Sequence, residues 1–415
     1  MLHTGDKPAP AARGALSFGR GLGHHGLQSQ ALAAGDPSRH DTHHPICPKG
    51  HPMTWLALTG AEFGRGHANR QPAAICLDMP AGQDPEDVIE RGSFYLEAAI
   101  SRTLADDQPL FVLHRTGEIT SHVSVQICRD GTIVYGRRLG DQHEQVSLTP
   151  DRMQAEGCLR LTVLWDGPAR QGLITAEFSA NGATVQKAVR DPLPWLAGDV
   201  AATPHEAGLG KGLICFGLSD QHLPVGPAPS LAAGTPVRTP GGYAAIETLG
   251  AGDLVLTPGG QTVPIRRAMA REVPARGRFG PVRLRAPYLG LRSDVIVSPH
   301  QRLLIDGPEV EYLLGEDQVL IEAQALIGTN CAWPAGCGPA ITYHQLIFDD
   351  HVMLDIAGTP MESLFLGDLR DDPVRLAATE LGKGTGTALP LHKKLAYRAL
   401  REYEAMTLKA AIFSP

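Results

Sequence analysis

Two short stretches hold residue types that can move a proton. "VSPHQR" places Ser298, His300 and Gln301 close together, and "YHQLIFDDHVML" places His344, Asp349 and His351 in one run. Imidazole titrates nearest to neutrality, so it is the usual group for taking a proton from a nucleophile or giving one to a leaving group. A carboxylate beside it orients the ring and favours its charged form. Along an uninterrupted strand side chains alternate, which would set Asp349 and His351 on one face and His344 on the other. Asp349 and His351 therefore form one candidate pair, in which a carboxylate orients an imidazole, and a purely structural strand is the plainer reading of the same residues. His300 is either a proton carrier or a turn histidine bonded to its surroundings. Gln301 can hydrogen-bond but cannot carry a proton.

Metal chemistry is poorly supplied. His40, His43, His44, Cys47 and His51 have the side chains of ligands, but they lie in a stretch without periodicity, and a structural metal site needs its ligands held by a fold. No metal and no cofactor are expected. The seven cysteines are scattered and odd in number, which excludes a dense disulfide framework. Cys331 and Cys337, in "CAWPAGC", are near enough for a small disulfide loop, with two buried thiols as the alternative.

With 415 residues, 43% of them hydrophobic and 20% charged, and with 47 Gly and 33 Pro, the chain has the length of two or three domains and a strand-rich, loop-rich composition. A formal net charge of −7 without a clustered excess of Lys and Arg argues against nucleic acid as a partner. No run is long and apolar enough to span a bilayer, and residues 1–50 hold no apolar core of signal-peptide length.

The elements that must position these residues are mostly strands. Residues 1–52, rich in Gly, Ala, Pro, His and Ser, are expected to be a disordered leader, with Met53 near the start of patterned sequence. Residues 53–222 read as an antiparallel sandwich. Val123, Val125 and Ile127 alternate with polar residues before the Asp130-Gly131 turn signal, and Leu159, Leu161, Val163 and Trp165 alternate in what reads as a half-buried strand. Asn181-Gly182 marks a further hairpin, and Trp165 and Trp195 are expected in the core or at its rim. Proline-dense residues 223–229 read as an extended, unpaired linker. Residues 230–368 form a second β unit in which "SDVIVSPHQRLLI", "EDQVLIEAQALI" and "YHQLIFDDHVMLDIAG" each suit a strand. In the tail, 369–415, the spacing of Leu395, Ala399, Leu400, Tyr403 and Met406 predicts an amphipathic helix over 388–412, whose apolar stripe is expected to pack on the second unit, with a partner as the alternative.

The second unit resembles a Hint (hedgehog/intein) domain of the type found in bacterial proteins. Four segments carry the resemblance: "GTPVRTPGGYAAIETLGAGDLVLT", "APYLGLRSDVIVSPHQRLLI", "EVEYLLGEDQVLIEAQAL" and "YHQLIFDDHVMLDIAGTPMESLF". The first unit resembles, by the order of its strands, the concanavalin-like jelly-roll of laminin-G and lectin domains. Members of that group often bind sugars or calcium. No acidic calcium-ligand cluster is visible here, so the ligand of this sandwich stays open, with carbohydrate as the class the resemblance suggests. The expected fold is mainly β: an antiparallel jelly-roll-like sandwich, a horseshoe-shaped Hint domain and a short terminal helix.

The Hint resemblance implies a chemistry. The domain's first residue attacks the carbonyl before it, which would place Ser230 as nucleophile on Pro229 and give an ester by an N-to-O acyl shift. Such a step needs a base for the hydroxyl, an acid for the leaving nitrogen and donors for the oxyanion. The resemblance supplies the acid through a Thr-x-x-His pattern, and here the chain departs from it: Ser298 stands at the Thr position, Gln301 at the His position, and His300 one place early. A serine replaces the usual cysteine. Splicing is not expected, because no terminal Asn followed by a nucleophile closes the domain. Two readings remain. One is a degenerate or non-splicing Hint fold carrying a binding module. The other is an autoprocessing protein that cleaves between Pro229 and Ser230 with help from His300 or His351. An extracellular destination follows from the resemblance alone.

Overall fold

Alternation of apolar and polar residues builds most elements of this chain, and the computed structural model shows where each strand sends its apolar face. It describes residues 55–60, 74–76, 84–100, 106–150, 157–179, 183–383 and 389–413. The chain divides into two units, residues 1–51 and 52–415. The first lies outside the described residues, and with it His40, His43, His44, Cys47 and His51. Met53 and Asn181-Gly182 lie outside them too.

The described chain is mainly β. Residues up to Ser219 form a sandwich of two large antiparallel sheets. One has seven strands in the order Thr184–Arg190, Gln171–Phe178, Gly157–Asp166, Arg91–Ile100, Leu213–Ser219, Trp55–Gly60 and Ala74–Cys76. The other has five, in the order Gly208–Leu209, Gln108–Arg115, Ser121–Ile127, Ile133–Leu139 and Gln142–Leu148. Val123, Val125 and Ile127 point inward as their alternation requires, and Gly131, with φ of 84°, takes the left-handed turn position that glycine adopts without strain. Trp165 and Trp195 are both buried, with ring centroids 6.2 Å apart. A charged group sits inside this core: Asp199, fully buried on the helix Ala197–Glu206, accepts from Arg115 at 3.1 Å and from Arg137 at 2.8 Å.

The strand Gly157–Asp166 differs from expectation, being buried on both faces. Leu159, Leu161, Val163 and Trp165 fill the sandwich core, while Arg160 and Thr162 on the opposite face are also covered. Tyr95 and Glu97 share that second face, paired across to Thr162 and Arg160. There the second lobe packs. The Tyr95 ring lies 6.2 Å from Phe279, and the backbone N–H of Arg278 donates to Glu97 Oε2 at 2.8 Å. Gly277, with φ of 54°, fits this contact because a Cβ there would fall 2.2 Å from Glu97 Oε2. Trp55, Leu58, Tyr95 and Cys215 from the sandwich and Val273, Phe279, Ile341 and Tyr343 from the second lobe form one apolar cluster.

The connecting segment is not an unpaired linker. Leu223 and Val225 are buried, and their N–H groups donate to Ser93 Oγ at 2.6 Å and to the Ala378 carbonyl at 3.1 Å. Proline density keeps it extended, but both lobes hold it.

In the second lobe a six-stranded sheet runs Arg267–Pro274, Ala340–Ile347, Leu231–Ala232, Val295–Val297, Val282–Leu284 and Ala332–Pro334. A seven-stranded sheet runs Gly242–Ala245, Pro236–Thr239, Met353–Ile356, Thr359–Glu362, Arg302–Asp306, Gln318–Glu322 and Arg398–Ala399. The terminal helix is shorter than its periodicity implied, spanning Glu402–Phe413, and residues before it run extended, with Arg398–Ala399 adding a parallel strand beside Val319 and Leu320. Its buried residues are Ala405 and Leu408, packed into the core of this lobe, while Tyr403 and Met406 face solvent. A helix over Pro308–Leu314 was not expected. Its signals are Pro308 in the first turn and Gly315, at φ of 68°, closing it. Among the described residues no helix is long and apolar enough to cross a membrane.

Burial holds the Glu97 carboxyl above its ordinary range, against the opposing hydrogen bond from Tyr95 and the charge of Arg160. A carboxyl raised in the folded state contributes stability that is full below its unfolded value and is lost as pH rises through the folded one. Glu97→Gln, neutral at every pH, is expected to flatten that loss, which urea midpoints measured for both proteins across the acid-to-neutral range will check.

Candidate active site of the second lobe

The strand Leu231–Ala232 is short, but it lies in the middle of its sheet. Leu231 pairs with Val297 on one side and with His344 on the other. Ser230, just before it, is pinned by the same ladders: its N–H donates to the His344 carbonyl at 3.3 Å, and its own carbonyl accepts from the Ser298 N–H at 2.7 Å. Pro229 and Ser230 are both buried, so the peptide bond between them is closed off from bulk water.

The Ser230 hydroxyl meets two carboxamides. It donates to Gln301 Oε1 at 2.5 Å and accepts from Gln345 Nε2 at 2.9 Å. Gln345 Nε2 also lies 3.1 Å from Gln301 Oε1, and its Oε1 accepts from the Leu346 N–H at 3.1 Å. Gln301 Nε2 donates to the carbonyls of Arg302 at 3.0 Å and Glu362 at 3.2 Å. Every polar atom of the two amides is thus used, and the set is closed. A buried amide network of this kind is stable because none of its members is left unpaired.

Ser298 acts through its backbone. Besides the bond to Ser230, its carbonyl accepts from the Gln301 N–H at 3.1 Å, closing the turn that aims the Gln301 side chain at Ser230. The one-place offset of His300 matters: its ring leaves the site and pairs through Nδ1 with Glu322 at 3.2 Å, half-exposed. Gln301, not His300, occupies the position facing the hydroxyl.

Asp349 and His351 do not meet. The run that held them is not one strand: it ends at Ile347 and resumes at Met353. In the turn between, exposed Asp349 makes a two-pronged pair with Arg266 at 2.6 Å, which holds its carboxyl below the ordinary range. His351 turns inward, where Nδ1 accepts the Ala396 N–H at 3.0 Å. That bond places the ring proton on Nε2, which donates to Glu362 Oε2 at 3.2 Å. The same carboxylate lies 3.2 Å from Arg302. His392 repeats the pattern, with Nδ1 accepting from the Leu366 N–H and Nε2 facing the Phe348 carbonyl. Both rings therefore tie the tail to the domain. His344 contributes its carbonyl to Ser230, and burial keeps its imidazole below the ordinary value, with Glu247 opposing.

The arrangement positions a hydroxyl next to the carbonyl it would attack, yet the groups touching it are amides. A carboxamide oxygen accepts a hydrogen bond and does not take up a proton near neutrality, and a carboxamide nitrogen donates its N–H groups in hydrogen bonds without releasing a proton. Gln345 escaped the sequence reading because only the register of Ala340–Ile347 against Leu231 brings it to Ser230. Among the described residues no group of three or more His, Cys, Asp or Glu is placed to hold a metal ion. Cys331 is a buried, unbridged thiol bonded to Thr329 Oγ1 at 2.9 Å.

Residues 229–368 match the family model of the Hint domain, and this part of the chain is a Hint domain. Among solved structures the chain is similar to the MchDnaB-1 intein, with 14% identity over 32% of this chain and 98% of that one, and a TM-score of 0.21. It is also similar to the Ruminococcus gnavus IT-sialidase CBM40, with 12% identity over 33% of this chain and 79% of that one, and a TM-score of 0.21. A bacteriophage CBA120 tailspike protein 2 domain shares 9% identity over 41% of this chain and 26% of its own, with a TM-score of 0.23. No curated protein matches the chain.

If His351 ties the tail, His351→Ala leaves the Ala396 N–H and Glu362 short of a partner and should cost about 1–3 kcal/mol of stability. His300→Ala removes only a half-exposed pair, worth about 0–1 kcal/mol. Urea denaturation gives both values, and faster hydrogen exchange over residues 396–413 in the His351 variant alone locates the effect.

Proposed function

We propose that this chain carries a Hint domain that does not process itself, and that the domain serves as the base on which a β-sandwich binding module is mounted. One observation carries the reading: the Ser230 hydroxyl is bonded to Gln301 and Gln345 and to no group able to take its proton. A serine hydroxyl is almost wholly protonated at neutral pH and depends on such a base more than a thiol would. The two histidines considered as helpers, His300 and His351, are engaged with Glu322 and Glu362. For the sandwich we propose a carbohydrate ligand. The central strands of its seven-stranded sheet are covered by the Hint domain, whereas the outward side chains of its five-stranded sheet are exposed or half-buried, which supports that sheet as the binding face.

Intact mass of the purified chain, followed under denaturing conditions with and without hydroxylamine or thiol, tests the first part. A single unchanging mass is expected. The double variant Ser230→Cys with Gln301→His restores a nucleophile and an acid at positions the fold already aligns, and thiol-dependent cleavage before residue 230 is expected from it. Cleavage of the native chain at that bond, abolished by Ser230→Ala, would overturn the proposal and establish a serine-based autoprocessing protein.

A further inference from the structure

The outward face of the five-stranded sheet carries a row of basic side chains that neither the core nor the Hint site uses. Strand register sets the row: His114 stands opposite His122, His122 opposite Arg138, and Arg138 opposite His143. Their neighbours Leu113, Val123 and Arg137 point into the sandwich, so alternation sends these four outward. The row crosses four strands, on the order of 14 Å at ordinary strand spacing. The His114 and His122 rings are 5.9 Å apart. Arg138 Nε donates to the Gly140 carbonyl at 3.0 Å, which steadies its arm and leaves the outer guanidinium nitrogens facing solvent. Among the described residues no carboxylate forms an ion pair with any of the four. Burial first, and then the charges of His114, Arg137 and Arg138, keep the His122 imidazole below its ordinary value. In a chain of net charge −7, with histidine counted neutral, Arg138 supplies the fixed positive charge of this row and the imidazoles add hydrogen-bonding groups beside it.

Beside it lies a second row with hydrogen-bonding capacity. Ser124, Gly136 and Gln145 face one another across the strands, and Gln126 follows on the same face as Ser124. The bare Gly136 makes room for the Ser124 hydroxyl, since a Cβ there would fall 2.7 Å from Ser124 Oγ.

We infer that this face binds an acidic saccharide, its carboxylate or sulfate groups lying along His114, His122 and Arg138 and its hydroxyls meeting Ser124, Gln126 and Gln145. The inference rests on reading the sandwich as a carbohydrate-binding module and adds the place and the charge of the ligand. Charge complementarity is the first support: an arginine fork and imidazoles without acidic partners match an oxyanion. Length is the second, because a row of this extent suits successive acidic groups of a short chain better than one small anion. The central strands have spent their backbone groups on the sheet ladders, so only side chains can read a ligand here, unlike the edge pairing that an extended peptide uses. The outward residues of these strands include no Phe, Tyr or Trp, so the stacking platforms that hold single-stranded nucleic acid are missing.

Calorimetric titration of the full chain with trigalacturonate, a chondroitin sulfate tetrasaccharide and neutral maltotriose tests this. Binding of one or both acidic probes, weakening as salt rises, is expected, and Arg138→Gln or His122→Gln should weaken it about tenfold or more. Trigalacturonate carries carboxylates alone, so its binding shows that carboxylates suffice, and binding of the chondroitin sulfate probe alone points to the sulfates. Urea midpoints show that each variant is folded. Acidic binding unchanged in both variants would overturn the inference, because the ligand would lie elsewhere. Maltotriose bound in preference to the acidic probes would overturn the inference while leaving the carbohydrate reading standing, and no binding by any probe would overturn both.

Discussion

A two-residue strand in the middle of a sheet constrains this molecule more than any other element. Leu231 is laddered to Val297 and to His344, so Ser230 cannot shift without opening hydrogen bonds on both sides. The strands that flank it are distant in sequence, around Val297 and His344, and the core beneath contains Leu231, Val297 and Leu346. The hydroxyl is therefore held in place by the same contacts that stabilise the fold. Gln301 and Gln345 satisfy the buried hydroxyl, whereas leaving it unpaired would cost about 1–3 kcal/mol. The amides suit the stability of the fold.

The second organising fact is that the central strands of one sheet of the sandwich are covered on both faces. Strands buried on two sides lose the polar alternation that marks a solvent-facing sheet, and where polar residues persist they must be paired. Arg160 lies 3.0 Å from Glu177, and Glu97 takes up the Arg278 N–H and the Tyr95 hydroxyl. The buried cluster of Arg115, Arg137 and Asp199 applies the same rule inside the sandwich. Neither group adds stability simply by being ionic, since desolvation offsets most of the attraction. Each fixes which surfaces can meet.

Much of the fold was legible because period-two alternation is a local signal. Val123, Val125 and Ile127 announced their strand, and the Hint segments located the second lobe. The site was legible by half. The offset between His300 and Gln301 could be read from four residues of a turn, and Gln301 faces the Ser230 hydroxyl while His300 pairs with Glu322. Gln345 could not be found, because it reaches Ser230 only through strand register. The pairing of Asp349 with His351 depended on an unbroken strand, and the turn after Ile347, where Arg266 captures Asp349, removes it. In the tail, helical spacing ran on through residues that pair with Val319 and Leu320 instead, so tertiary contacts overrode a periodicity that was present.

The contact between the lobes has a consequence for covalent integrity. Tyr95, Phe279, Trp55 and Tyr343 belong to one apolar cluster, and the segment leading to Ser230 is tied down at Leu223 and Val225. Backbone continuity at Pro229 is thus not what holds the two halves together. A chain nicked there would diffuse and sediment as a single particle, its halves parting only when the cluster itself was melted.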